Sequence, residues 1–261
     1  MDFKHCLRHP GKNFTDYGLR GKSVAVFVSD GSLHRLYIIL SRMPTFENEI
    51  VFWKRGSHVV GIDEVGKGAL AGPLTLSAAF FAHNVSPNSF LPLIKSGIND
   101  SKLISAIQRE RLNNLMKDLA CKRFTVSASP SHIDKKGIVH AWRHCFSKLI
   151  AQIRISVPHD SITVLVDGLP IHDLRYDKNT VIQFITKGDR ASVAIASASI
   201  TAKVFRDSYM TNLSPRYPLY HFDRNKGYGT KEHISALHIS GPTTQHRLSF
   251  IDHIISPSHI T

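Results

Sequence analysis

The stretch HVVGIDEVGKGALAGPLTLSAAFFA, residues 58–82, decides the fold class. Its first part is a β-branched run that stops at a carboxylate pair, Asp63-Glu64. Its last part, PLTLSAAFFA, is mostly apolar, with Thr75 and Ser77 its hydroxyl residues, and reads as a second buried strand. Between them lie Gly66-Lys67-Gly68 and Gly72-Pro73, a turn rich enough in glycine to join two strands as a hairpin. Glycines also let a backbone approach a phosphate or a sugar closely, so the turn beside the carboxylates is a candidate ligand contact.

Outward from this hairpin the chain alternates helix and strand. Residues 105–119 predict a helix capped by Ser105, with Ile107, Leu112, Leu115 and Leu119 on one face. Residues 122–128 read as a strand, and 137–153 as an amphipathic helix through Ile138, Trp142, Phe146, Leu149 and Ile153. SITVLVD (161–167) and VIQFITKGD (181–189) are two further strands, each ending in an acid. Residues 191–210 predict a helix with a small-residue face, Ala191, Ala194, Ala198 and Ala202, suited to close approach to a sheet. This alternation gives an α/β fold class. Residues 1–57 stand apart as an N-terminal extension of unknown role, with β-prone runs at 24–28, 36–40 and 50–53; residues 58–261 form the main domain.

Composition narrows the function. The 261 residues carry 33 Lys+Arg against 20 Asp+Glu, a net charge of +13, which favours a polyanionic partner. Cys6, Cys121 and Cys145 are widely spaced, which suits a reducing compartment and argues against a structural zinc site. No apolar run reaches the ~20 residues needed to span a bilayer, and the first residues lack a secretory h-region. A soluble, cytoplasmic protein that does not span a membrane is expected, with an anionic partner, either nucleic acid or an anionic membrane surface.

Three predicted strands end in acids: Asp63-Glu64, Asp167 and Asp189. Each alone is as well explained as a cap or turn former. Together, at strand ends where α/β sheets bind ligands, they suit hard divalent cations and phosphoryl chemistry. Lys203 lies on the small-residue helix, where a lysine needs a partner; Asp207 reads as part of a solvated ion-pair face. Tyr228, in NKGYGT (225–230), suits either stacking on a base or sugar or anchoring a loop. His246-Arg247 reads as phosphate contacts or plain surface.

These motifs, in this order, resemble ribonuclease HII, the type 2 ribonuclease H family, over about residues 58–252. The blocks are GIDEVGKGALAGP (61–73), NDSK (99–102), VLVDG (164–168), KGD (187–189), ASASITAKVFRD (196–207), KGYGT (226–230) and HRLSF (246–250). The resemblance implies a ribonuclease H-like fold: a mixed central sheet flanked by helices, with a helical C-terminal portion that grips the duplex. It implies catalytic, metal-ligating carboxylates at Asp63, Glu64, Asp167 and Asp189. It also implies Mg²⁺ or Mn²⁺ as cofactor and hydrolysis on the 5′ side of ribonucleotides in RNA/DNA hybrids by a two-metal mechanism.

In the family a G-R-G turn and a tyrosine read the ribose; here Gly66, Gly68 and Tyr228 match, with Lys67 in place of arginine. Lysine is a point charge without the bidentate fork of arginine. Asn225 stands where the family has histidine, and Leu103 where it has a second lysine. Lys102, Lys187 and Lys203 match positions that contact the substrate backbone or organise the acids, and a monomer is expected. Two alternatives stay open: another two-metal nuclease on this fold, and a non-catalytic hybrid-binding protein.

Overall fold

The computed structural model describes residues 43–119, 121–171, 174 and 176–255. Five strands form one mixed sheet in the order β3-β2-β1-β4-β5. They are β1 (His58–Val65), β2 (Leu74–Phe81), β3 (Lys122–Ala128), β4 (Ile162–Asp167) and β5 (Thr180–Ile185). β2 pairs antiparallel with both β1 and β3, while β4 pairs parallel with both β1 and β5. The hairpin expected across residues 58–82 is therefore present, with Val59 opposite Phe81 and Val65 opposite Thr75.

Strand alternation divides the core into two layers. On one face Val60, Ile62, Leu74, Leu76, Val164 and Val166 pack against Trp142, Phe146, Leu149 and Ile153. These four come from a helix spanning Ile138–Ser156, whose apolar side was legible in sequence. On the other face Val59, Ala79, Phe81 and Leu165 meet the helix Val193–Leu213 and two residues of Ala106–Asp118, Leu112 and Met116. Ser105 caps the latter helix by accepting from Gln108 N, as expected, but Ile107 points to solvent. The buried face is thus rotated toward Met116. A third cluster, built by Met210, Leu213, Tyr220, Phe222, Leu237 and Ile251, holds the C-terminal helices Phe222–Asn225, Lys231–Ser240 and Leu248–Ile255 together.

In chain order we number the helices α1 (Glu47–Trp53), α2 (Leu91–Lys95), α3 (Ala106–Asp118), α4 (Pro130–Lys136), α5 (Ile138–Ser156) and α6 (Val193–Leu213), followed by α7 (Phe222–Asn225), α8 (Lys231–Ser240) and α9 (Leu248–Ile255). Two expectations change. The run at 50–53 is part of α1, not a strand, and α1 lies in a compact unit that begins at Pro44. The reason is packing: Phe46 and Trp53 enter the aromatic cluster with Phe81 and Phe90. The runs at 24–28 and 36–40 lie outside the described residues. β5 also ends at Ile185, so Asp189 sits beyond the strand, on the 3₁₀ turn Gly188–Arg190 that leads into α6.

α6 lies directly on β1. A Cβ added to Gly61 would overlap the backbone carbonyl of Ala194, and Ala194, Ala198 and Ala202 are fully buried. From Ala194 onward the small-residue face does what its composition predicts, while Ala191 precedes the helix, at the end of the 3₁₀ turn. The start of α6 is fixed from α1: Glu49 Oε1 accepts from Ser192 Oγ at 2.6 Å and from Ala194 N at 2.9 Å. Ser192 in turn caps the helix by accepting from Ile195 N.

Gly61→Ala forces α6 away from the sheet, and overpacking of this kind costs about 3 kcal/mol. Urea denaturation should show a lower midpoint with an unchanged slope. Glu49 gives a second test. Burial raises its pKa from 4.5 to about 7, and among the described residues its Oε2 has no hydrogen-bond partner. The folded state therefore holds this proton more tightly than the unfolded chain, so Glu49 loses the folded state stability as pH climbs from about 4.5 through 7. Glu49→Gln keeps the Oε1 acceptor without the charge. Its stability difference between pH 5 and pH 8 should be smaller than the wild type's by about 1–3 kcal/mol. Equal pH slopes for the two proteins would show that Glu49 does not titrate in this window.

Candidate active site

Parallel pairing of β1 with β4 brings two acids to one place. Ile62 pairs with Val166, and one residue further along each strand stand Asp63 and Asp167. Alternation turns both toward the α6 side of the sheet, since Val60, Ile62, Val164 and Val166 occupy the other side. The same alternation sends Glu64 to the α5 side, where Trp142 Nε1 donates to its Oε2 at 3.1 Å. Lys67 Nζ lies 3.3 Å from the other oxygen of Glu64. Asp167 Oδ1 accepts from Gly188 N at 2.6 Å, which ties the end of β4 to the turn carrying Asp189.

Burial is the main reason Asp63 is pushed up to about 8; the charges of Glu64 and Asp167 add to it, and a hydrogen bond from Ser199 opposes it. Asp189 is raised to about 6, again mainly by burial, then by the charges of Asp100 and Asp167. Asp100 is a fifth acid here, quoted in the NDSK block but given no role by the sequence. Burial would raise it, yet the Lys102 N–H and the Arg190 guanidinium hold it below the usual carboxylate range. Arg190 lies 3.0 Å from Asp100 and Lys102 N donates to it at 2.9 Å, so Asp100 organises both the KGD turn and the NDSK loop.

As the side chains stand, the described residues contain no group of three or more His, Cys, Asp or Glu drawn close enough to hold a metal ion. Each carboxylate is instead engaged by its neighbours. The donor chemistry nevertheless fits a hard divalent cation: carboxylate oxygens only, at the ends of β1 and β4 and on the adjoining 3₁₀ turn, with burial and then like charges raising Asp63 and Asp189.

Beside Asp63 opens a cleft of about 420 Å³ lined by Asp63, Glu64, Gly66, Lys67, Gly68, Ser101, Lys102, Ser199, Lys203 and Tyr228. Eight of the eleven residues singled out from sequence line it; Asp167, beside Asp63, and Asp189, beside Asp167, are outside the lining, and Lys187 is exposed. Lys203 does have a partner, Asp207 at 2.8 Å, and both side chains are largely buried, so the pair is not a solvated face. The two turn glycines differ in kind. Gly66 has φ +82° and abuts Arg206, whereas Gly68 faces open space, leaving its backbone approachable from the cleft.

Two fully buried arginines fix this turn. Arg206 donates to the carbonyls of Ala71, Pro73 and Lys226, and Arg247 donates to those of Lys67 and Gly72. His246-Arg247 is therefore neither surface nor a phosphate contact: the two residues are 2% and 0% exposed. Burial, and then the charge of Arg206, pushes Arg247 down to about 10. Arg206 also lies under the Tyr228 ring, 5.2 Å from its centroid. A signal for Arg206 was present in the sequence, because the stripe Ala194, Ala198, Ala202 continues at the same spacing to Arg206 and Met210, both fully buried. For Arg247 no local pattern existed, and for Trp142 the pattern showed only an apolar helix face; their roles at the site come from contacts far along the chain. Asn225 holds the tyrosine loop, donating to Tyr220 O and accepting from Gly227 N.

A mixed five-stranded sheet with acids at the ends of neighbouring strands and a helical C-terminal portion is the ribonuclease H-like arrangement. Solved structures share the fold: the ribonuclease HII of Archaeoglobus fulgidus, solved with PCNA, has a TM-score of 0.58 at 22% identity, covering 77% of this chain and 98% of that one. Aquifex aeolicus ribonuclease H3 has 0.57 at 19%, covering 79% of each. The family model "Ribonuclease HII" matches residues 60–253. Ribonuclease HII of Oceanobacillus iheyensis is 38% identical over 210 residues, 80% of this chain and 74% of that protein. That of Clostridium novyi is 38% identical over 238 residues, 90% and 82%. The chain belongs to the ribonuclease HII family.

The turn and the tyrosine loop are coupled at one contact. Gly227 has φ +80°, and a Cβ there would overlap the Ala71 carbonyl oxygen. Gly227→Ala should lower stability by about 2–3 kcal/mol in thermal or urea unfolding. Gly68→Ala meets nothing and should unfold within about 0.5 kcal/mol of wild type.

Proposed function

We propose that this chain is an endoribonuclease that hydrolyses the phosphodiester on the 5′ side of ribonucleotides in RNA/DNA hybrids and RNA-containing duplex DNA. The products carry 3′-hydroxyl and 5′-phosphate ends. The observation that carries this reading is the single cleft in which Asp63 and Glu64 adjoin Gly66-Lys67-Gly68, Lys102, Lys203 and Tyr228. Acids for divalent ions, cations for a phosphate backbone and an aromatic ring for a sugar or base are thereby within one ligand's reach.

Asp63, Glu64, Asp167 and Asp189 are the residues that would hold Mg²⁺ or Mn²⁺. Bound there, divalent ions would supply Lewis-acid stabilisation to an in-line displacement at phosphorus. The chain's own groups do the remaining work. Lys102 and Lys203 neutralise backbone phosphates, the exposed backbone at Gly68 lets a strand approach, and Tyr228 meets the sugar. Lys67, beside Glu64, supplies a single charge rather than a guanidinium fork at the turn. Lys187, exposed near the KGD turn, extends the cationic path outside the cleft. Hydrolysis of RNA within DNA gives the protein a role in replication and repair, in the cytoplasm and as a monomer. No described helix is long and apolar enough to cross a membrane.

The test is one labelled duplex set carrying one, four or all ribonucleotides, or none, in Mg²⁺ and in Mn²⁺. RNA-containing duplexes should be cut and all-DNA duplex left whole, with activity abolished by chelator. Asp63→Asn should lower kcat on the order of 10³–10⁴-fold while duplex binding and unfolding stay near wild type. Cleavage of all-DNA duplex would favour a different nuclease, and near-normal turnover by Asp63→Asn would remove Asp63 from the site.

A further inference from the structure

His233 and His246 are buried outside the cleft, and each ring nitrogen has a partner. His233 Nδ1 lies 2.9 Å from the carbonyl oxygen of Tyr228, and the two Nε2 atoms lie 3.0 Å apart. His246 Nδ1 faces both the backbone N–H and the hydroxyl of Thr243, each at 2.9 Å; the hydroxyl can donate or accept, so the backbone N–H decides the tautomer. A carbonyl oxygen only accepts, so His233 Nδ1 carries a proton; a backbone N–H only donates, so His246 Nδ1 carries a lone pair. In neutral rings this leaves the proton of His246 on Nε2 and a lone pair on His233 Nε2. One arrangement then satisfies every contact: Thr243 N–H to His246, His246 to His233, His233 to the Tyr228 carbonyl.

A second proton on His233 sets N–H against N–H between the rings, and one on His246 Nδ1 sets it against the Thr243 backbone N–H, leaving only the Thr243 hydroxyl to accept it. The surroundings agree: the rings pack on Tyr220 and Phe222, and burial lowers both pKa values, that of His246 to about 4.

We infer that His233 and His246 form a neutral, directional relay that positions Tyr228 over the cleft, with His233 as the positioning residue in contact with the tyrosine backbone. The Tyr228 carbonyl accepts from Thr230 N as well, so local turn geometry sets one direction and His233 the other. His246 links this loop to the Gly66–Pro73 turn, since it bridges to Ala71. A shift of the relay would move the tyrosine relative to the glycine turn. The functional consequence rests on the ribonuclease reading proposed above.

The experiment compares the full chain with His233→Asn and His233→Phe. An asparagine amide replaces the Nδ1–H donor toward Tyr228, whereas phenylalanine fills the space without it. Long-range ¹⁵N NMR of the wild-type imidazoles should assign the proton to Nδ1 in His233 and to Nε2 in His246. On an RNA-containing duplex His233→Phe should raise KM about tenfold with a smaller change in kcat, the scale of one lost hydrogen bond. His233→Asn should return KM to within about twofold of wild type. Reversed or exchanging tautomers, an unchanged KM in His233→Phe, or equal impairment by both substitutions would overturn the relay. Should His233→Phe fail to fold, the tautomers decide, because a space-filling role requires no fixed pair. Failure of the wild-type chain to cut any RNA-containing duplex would defeat the ribonuclease reading alone, and the tautomers would still judge the relay.

Discussion

The contact of α6 with Gly61 is the constraint on which the site depends. Once the helix backbone rests on β1 at Ala194, the two elements run side by side and keep pace. From Ala194 to Arg206 a helix rises about 18 Å at ~1.5 Å per residue. From Gly61 to Gly66 an extended chain covers about 17 Å at ~3.3 Å per residue. Successive turns of α6 therefore meet successive features of β1 and its loop. Ser199 bonds to Asp63, Lys203 enters the cleft, Arg206 meets Gly66 and Met210 meets Gly72. A larger residue at position 61 would shift this entire ladder, so the glycine is a site residue at one remove.

Charge is distributed around that ladder in an unusual way. Arg206 and Arg247 are fully buried, yet their hydrogen bonds go to carbonyls rather than to carboxylates. Buried guanidiniums need partners, and here five backbone oxygens of the glycine turn and the tyrosine loop provide them. The acids meanwhile crowd at the strand ends, where Asp63 and Asp189 are raised by burial and by one another's neighbours. Cations hold the loops, and the anions gather beside the cleft. The net charge of +13 reflects this only in part, because two of the positive charges are structural.

Much of this was legible in the sequence, for identifiable reasons. The hairpin, the α5 face and the small-residue face of α6 follow from periodicity, which burial enforces directly. Asp63 and Asp167 were visible because they terminate apolar strands. Other features were not legible because they depend on long-range contacts. α1 read as a strand, and only its packing through Phe46 and Trp53 makes it helical and part of the core. Asp189 lies past its strand because the chain turns at Lys187, which adopts φ +56°. HRLSF looked like a basic surface, since nothing local reveals that Arg247 is threaded under the residue 66–73 turn. His233 and His246 are thirteen residues apart, and only the folded C-terminal cluster places their rings together.

The claim at the centre of this account is that the strand-end acids hold divalent ions. Titrating Mn²⁺ at substoichiometric levels into ¹⁵N-labelled protein tests it without any substrate. Paramagnetic broadening should appear first at the amides of Asp63, Glu64, Asp167 and Asp189. Broadening centred instead on exposed acids such as Asp160, Asp177 or Glu232, or spread evenly over the surface, would contradict it.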